Sequence, residues 1–192
     1  TETGPHVNRV AGYAIEIYER WAHDRGYSQE DIEKTKDNLR MAAMLHDVGK
    51  VAISDVILKK PGRFTDDEFR IMKSHTLHGA RLFSDKQSDF DEVAQLVAVS
   101  HHEHWDGNGY PGHVDIATGE PIKTDSNGDP VGKSGDEIPL FGRIVAISDV
   151  YDALSSRRVY KEAWTEDQVL EEIRSMAGTQ FDPQIVHVFF KV

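Results

Sequence analysis

The chain has 192 residues, of which 39% are hydrophobic and 29% charged, with no cysteine and a formal net charge of −11. That length supports one sizeable core or two small ones, and the missing thiols exclude disulfides and thiolate metal sites. The acidic balance argues against an extended nucleic-acid surface, which needs clustered Lys and Arg; no apolar run reaches the roughly 18 residues of a membrane span, and a cytoplasmic setting is expected.

Taken in chain order, the elements are mostly helices. Thr3 is the N-cap candidate and Pro5 lies in the first turn of a helix that runs to about Asp24 and stops at Gly26. Val7, Val10, Ala11, Ala14, Ile15 and Tyr18 give it an apolar face at helical spacing. Ser28 with Asp31 opens a second helix, leading through Leu39 to Leu45 and into "HDVGK". "SDVILKKPGRFT" reads as a connector that turns at Pro61-Gly62. Thr65 caps a short helix through "DDEFRIMKSH", and further helices are predicted through "GARLFSD" and "FDEVAQLVAVSHH". Residues 103–140, rich in glycine and proline, read as a long loop in which Asn127-Gly128 suits a small hairpin. Three helices close the chain: "FGRIVAISDVYDALSS", "TEDQVLEEIRSMA" and "DPQIVHVFFKV", the last with Asp182 as cap and Pro183 at its first position. With no repeat and no linker, the pattern predicts one compact all-α domain over 1–192.

The awkward polar residues are His6, His46-Asp47, His75, His101-His102 and Asp149, each at or near the end of an apolar helical segment. Ionisable groups in that setting are costly unless paired, hydrogen-bonded or bound to a metal. Singly, each has an ordinary explanation. His6 reads as a capped surface histidine, His75 and His78 as two exposed rings one turn apart, 101–104 as a solvated helix end, and Asp149 as a satisfied core aspartate. Together they point to a ligand set. Imidazoles and carboxylates without thiolates suit borderline or hard divalent ions such as Fe, Mn, Zn, Co or Ni. Seven ligands exceed the needs of one ion, and a bridging carboxylate suits a pair a few ångströms apart, the arrangement used for phosphoryl transfer.

"HDVGK" (46–50), "HTLHG" (75–79), "HHEHWDGNGYP" (101–111), "ISDVYDAL" (147–154) and the closing "GTQFDP" (178–183) resemble the HD-GYP branch of the HD phosphohydrolase superfamily, in family order and across nearly the whole chain. The resemblance implies a helical HD-type domain that opens cyclic di-GMP to pGpG, with further cleavage to GMP left open. It implies that His6, His46, Asp47 and Asp149 hold one ion, Fe or Mn in first place, and that Asp47 bridges to a second held by His75, His101 and His102. Glu2 stands where some members supply a ligand to a third ion, which is equally open. Lys50 is implied as a phosphate contact or as the donor to the departing 3′ oxygen, beside Asp47. Arg158 and Lys161 match basic substrate-contacting positions; Asp152, one turn after Asp149, and Tyr110 are also expected at the substrate, and the Gly-Tyr-Pro loop that holds Tyr110 is associated in the family with diguanylate cyclase or adaptor partners. A homodimer and a preceding sensory or receiver domain are further expectations.

Two departures stand out. Val159 replaces the family's usual proline, and residues from Gly112 to about Gly135 look like an insertion, read as a lid, a contact for another domain or a neutral elaboration. Two competing functions remain on sequence grounds: a phosphohydrolase for another nucleotide, and a non-catalytic sensing or docking module.

Overall fold

The computed structural model describes residues 4–156 and 164–192. Thr3 and Glu2, together with Arg158, Val159 and Lys161, lie outside the described residues.

The first helix, α1 (Gly4–His23), buries Val10, Ala11, Ala14, Ile17, Tyr18 and Ala22, the stripe expected from its spacing. It packs against α2 (Gln29–Met44), where Ser28 Oγ accepts the N–H of Asp31 as an N-cap. α2 ends two residues before His46. The chain then passes through a 3₁₀ turn, Val48–Ala52, instead of continuing as the predicted helix. Gly49 shows why that turn is tight: a Cβ there would collide with the His75 carbonyl and the Gly79 N–H of a neighbouring helix. The backbones can meet only because the residue has no side chain.

The predicted connector after Ser54 contains one helical turn, α3 (Asp55–Leu58), capped by Ser54 Oγ on the Val56 N–H. Thr65 and Glu68 form a complete capping box at α4 (Asp66–Lys73). A separate helix, α5 (His75–Arg81), begins four residues earlier than the "GARLFSD" reading. Ser74 is the hinge, keeping αR backbone angles while ending α4 and opening α5. This break turns His75 inward. α6 (Asp89–Ser100), α7 (Leu140–Ser155), α8 (Glu166–Ser175) and α9 (Pro183–Phe189) follow close to expectation, the last capped by Asp182 on the Gln184 N–H.

The main core joins α1, α2, α6, α7 and α9 through residues such as Ile17, Ile32, Leu39, Val97, Ile144 and Ile185. Gly142 allows α7 to approach α6, since a Cβ there would strike the Ser100 hydroxyl. The domain is all-α, as predicted.

Residues 103–139 form the long loop. Around Asn127-Gly128 the loop has isolated antiparallel bridges, Val114 with Pro121 and Thr124 with Pro130, in place of continuous strands. Asp125 Oδ1 accepts the N–H groups of Asn127 and Asp129, so these residues build a turn. The segment packs on the outer side of α5 and α6, with Ile116 against Leu77, Ala80, Ala98 and Val99, and Arg81 Nε donating to the Ile116 carbonyl at 2.7 Å. No helix among the described residues is long and apolar enough to cross a membrane.

Candidate metal centre

Five elements deliver the centre. His6 comes from the first turn of α1, His46 and Asp47 from the turn after α2, His75 from the start of α5, His101 and His102 from the end of α6, and Asp149 from the middle of α7. Two groups of donor atoms result. Asp47, His75, His101 and His102 form the inner one; His6, His46 and Asp149 form the outer one, each with its donor atoms within 4.8 Å of one another. Positions up to 143 residues apart in the chain thus converge, as the ligand reading requires.

The inner group surrounds one oxygen. Asp47 Oδ1 lies 2.9 Å from His75 Nε2 and 3.5 Å from His101 Nε2. The other oxygen, Oδ2, lies 3.3 Å from His46 Nε2, which in turn is 3.8 Å from Asp149 Oδ1. His6 Nε2 approaches the same Asp149 oxygen at 3.3 Å. Asp47 therefore faces one group with each oxygen, the position of a bridging ligand.

Tautomers follow from the opposite ring nitrogens. His46 Nδ1 donates to the Ala43 carbonyl at 2.6 Å, His75 Nδ1 to the Met72 carbonyl at 2.7 Å, and His101 Nδ1 to the Val97 carbonyl at 3.0 Å. A carbonyl only accepts, so each Nδ1 carries a proton and Nε2 is the ring atom that turns inward, where it can ligate once it is free of any proton of its own. The Nε2 atoms of His46, His75 and His101 are buried and take no hydrogen bond from the described residues. Their neighbours are carboxylate oxygens, also electron-rich. Electron-rich atoms facing one another in a buried space call for a positive charge between them, whether a proton or a metal ion. The residues present therefore fit a pair of divalent ions, and the donor chemistry is that of borderline or hard metals.

The charges agree. Burial holds His102 well below the usual histidine pKa and also lowers His101, so both are neutral. Burial opposes charge on His46 as well, but the Asp47 carboxylate and then Asp149 override it and push the ring up to about 9. Burial likewise disfavours the Asp149 anion, yet His6 and the nearby imidazoles hold it below the ordinary carboxylate range.

Lys50 lies on the 3₁₀ turn three residues after Asp47, where i and i+3 side chains eclipse, and its Nζ is 2.5 Å from Asp47 Oδ2. The expected proximity of the two is present, on a tighter helix than predicted. Tyr110 stacks on His102 at 4.8 Å between ring centroids and 24° between planes. Burial and the charges of Asp47 and Asp149 raise its phenol, which stays protonated. Asp152, expected at the substrate, is 1% exposed and both its oxygens are engaged: Oδ2 by His6 Nδ1 at 2.7 Å, Oδ1 by Arg9 Nε at 2.6 Å. Sequence reasoning passed over Arg9, although its place one turn after His6 was the available signal.

A cavity of about 770 Å³ opens on the centre, with Asp47, His75 and His102 at its wall, Lys50 and Arg9 beside them, and Phe64 and Met72 among its apolar lining. That volume is in the range of a site for a small ligand. No described residue of 112–135 lines it.

Comparison with known proteins agrees with this geometry. The HD domain family model matches residues 3–154. The chain belongs to the HD domain family. It is 41% identical over 90% of its length to the cyclic di-GMP phosphodiesterase response regulator RpfG of Xanthomonas campestris, covering 42% of that protein. It is 39% identical over 99% of its length to 3'3'-cGAMP-specific phosphodiesterase 2 of Vibrio cholerae, covering 31% of it. The chain thus spans less than half the length of these curated relatives, and the HD-GYP resemblance is borne out. Among solved structures, a cyclic GMP-AMP-specific phosphodiesterase of V. cholerae superposes with a TM-score of 0.61 at 19% identity, covering 97% of this chain and 43% of that one. The HD domain of Listeria monocytogenes PgpH gives 0.57 at 16% identity, covering 97% of this chain and 87% of that one. Both share the fold.

Proposed function

We propose that the protein is a metal-dependent phosphodiesterase that hydrolyses cyclic di-GMP to the linear dinucleotide pGpG. The observation that carries this reading is the Asp47 carboxylate, set between two imidazole groups on a cavity wall with the Lys50 ammonium against it. When bound, two divalent ions supply charge neutralisation at the phosphate and acidify a water molecule. Asp47, His75, His101 and His102 would hold one, and His6, His46 and Asp149 with Asp47 the other; Fe and Mn suit this donor set. Glu2 is the candidate for a third ion.

The chain's own groups do the rest. Water, giving up one proton to solvent, adds to phosphorus as the P–O3′ bond breaks; Lys50, which lines the cavity, delivers a proton to the departing 3′ oxygen and regains one from solvent. Arg158 and Lys161 contact guanine or phosphate through charge-assisted hydrogen bonds. Tyr110, stacked on His102, steadies that ring. Asp152 lines the cavity and is engaged by His6 and Arg9, so it orients His6 at the edge of the substrate space.

A second reading has its own support: the V. cholerae relative with 39% identity is named for 3'3'-cGAMP. One experiment separates them. The Mn-loaded protein is given cyclic di-GMP and 3'3'-cGAMP in parallel and the products are resolved by chromatography. A higher kcat/KM for cyclic di-GMP, with pGpG as product, is expected. Preference for 3'3'-cGAMP reverses the assignment, and turnover of neither leaves a binding module.

A further inference from the structure

His6 occupies the first turn of α1, where the N–H groups have no intrahelical partners and helix ends fray. A ligand in such a place must be held by something else. The rings of His46, His75 and His101 are tied through Nδ1 to backbone carbonyls of the preceding turn. His6 has no such tether; its Nδ1 meets Asp152 Oδ2 at 2.7 Å. That carboxylate is itself buried, and a buried anion needs compensation.

Arg9 supplies it. Its Nε donates to Asp152 Oδ1 at 2.6 Å and its Nη2 to Asp152 Oδ2 at 3.0 Å, a forked contact. Nη2 also donates to the Ser156 hydroxyl at 3.1 Å. Arg9 follows His6 by one turn on α1, and Asp152 follows Asp149 by one turn on α7. Two pairs therefore cross the α1–α7 seam, one of ligands and one of opposite charges. The Asp152 acceptor takes the Nδ1 proton and aims His6 Nε2 at Asp149, so Nε2 is the atom left to ligate when an ion is bound.

We infer that Arg9 is a positioning residue for the outer donor group: its fork on Asp152 pins the first turn of α1 and fixes the orientation of His6. The inference rests on the reading of His6, His46 and Asp149 as metal ligands. It concerns occupancy of one site and not the other, because the inner group has no contact with Arg9 among those described.

The test is an anaerobic Mn²⁺ titration of the full chain without substrate, read by calorimetry and by the paramagnetic resonance of free Mn²⁺. The parental protein is expected to take up two ions. In Arg9→Ala one ion keeps its Kd while the other weakens by about 10–100-fold, the usual cost of losing an outer-shell partner. Arg9→Lys, which keeps the charge without the fork, recovers part of the loss. Asp152→Asn reproduces the Arg9→Ala pattern and carries the comparison if Arg9→Ala loses its helical circular dichroism. Two ions bound at parental affinity in these variants would overturn the inference, and so would an equal weakening of both. A parental protein that takes up no ion would overturn the metal reading itself, before any variant is compared.

Discussion

The two donor groups share Asp47 but are held by different means. The inner one is built at helix ends and a hinge, with His75 and His101 locked to helix carbonyls and 3% exposed or less. The outer one depends on side chains meeting across helices: its His6 and Asp149 side chains are 17% and 20% exposed, and His6 is oriented by Asp152 and Arg9. Backbone tethers come with the helices themselves. Side-chain tethers exist only when α1 and α7 dock. Both groups need their elements to assemble, but the inner rings and His46 are oriented by carbonyls of their own preceding turns, whereas His6 is oriented only when α1 docks on α7.

Breaking the shared member tests both groups at once. Asp47→Ala is expected to empty both and lower turnover by about a thousandfold or more, since several kcal/mol of charge stabilisation are lost, while the circular dichroism remains helical. Parental turnover in that variant would refute the bimetallic reading. Lys50→Ala spares the imidazoles and tests proton donation, with an expected fall in kcat of about 10²–10⁴-fold. Substrates with a good leaving group should escape most of that loss.

Single-ligand changes sharpen the contrast. His6→Ala should weaken one ion by at least about 100-fold, more than an outer-shell loss costs, with metal analysis after gel filtration falling from two ions toward one. His75→Ala should instead disturb the inner ion. If both variants lose the same ion, the division into two groups is mistaken. Chelation gives a kinetic version: the outer group, whose His6 and Asp149 are more exposed than the inner ligands His75 and His101, should release its ion first, so that metal loss follows two phases, and a single phase would count against it. Arg158→Ala belongs to the substrate side and should raise KM about tenfold with little change in kcat, as expected for one charge-assisted hydrogen bond. The smallest effect is expected from replacing 114–130 with an Asn-Gly turn, because this segment packs on α5 and α6 away from the cavity. Turnover should stay within about twofold, at a stability cost of about 1 kcal/mol from lost packing of Ile116.

Much of this was legible locally. Helical spacing placed the buried face of α1, and caps such as Ser28, Thr65 and Asp182 marked helix starts, because the N–H groups that need satisfying lie within three residues of the cap. The ligand types were legible too, since polar residues fringing apolar segments need a reason. Other features were not. The 3₁₀ turn after α2 is tight because Gly49 meets α5, and the break at Ser74 separates α4, which neighbours α3, from α5, which packs on that turn and on α6.

By itself, the sequence determined the helices, the all-α class and the seven donor residues, because periodicity, capping and donor chemistry are properties of neighbouring or individual residues. Only the tertiary structure decided which donors share a group, which oxygen of Asp47 faces which imidazole, and that Asp152 serves His6. Those contacts join residues as far as 146 positions apart, and only the docking of α1 on α7, and of α5 and α6 on α2 and the turn that follows it, specifies them.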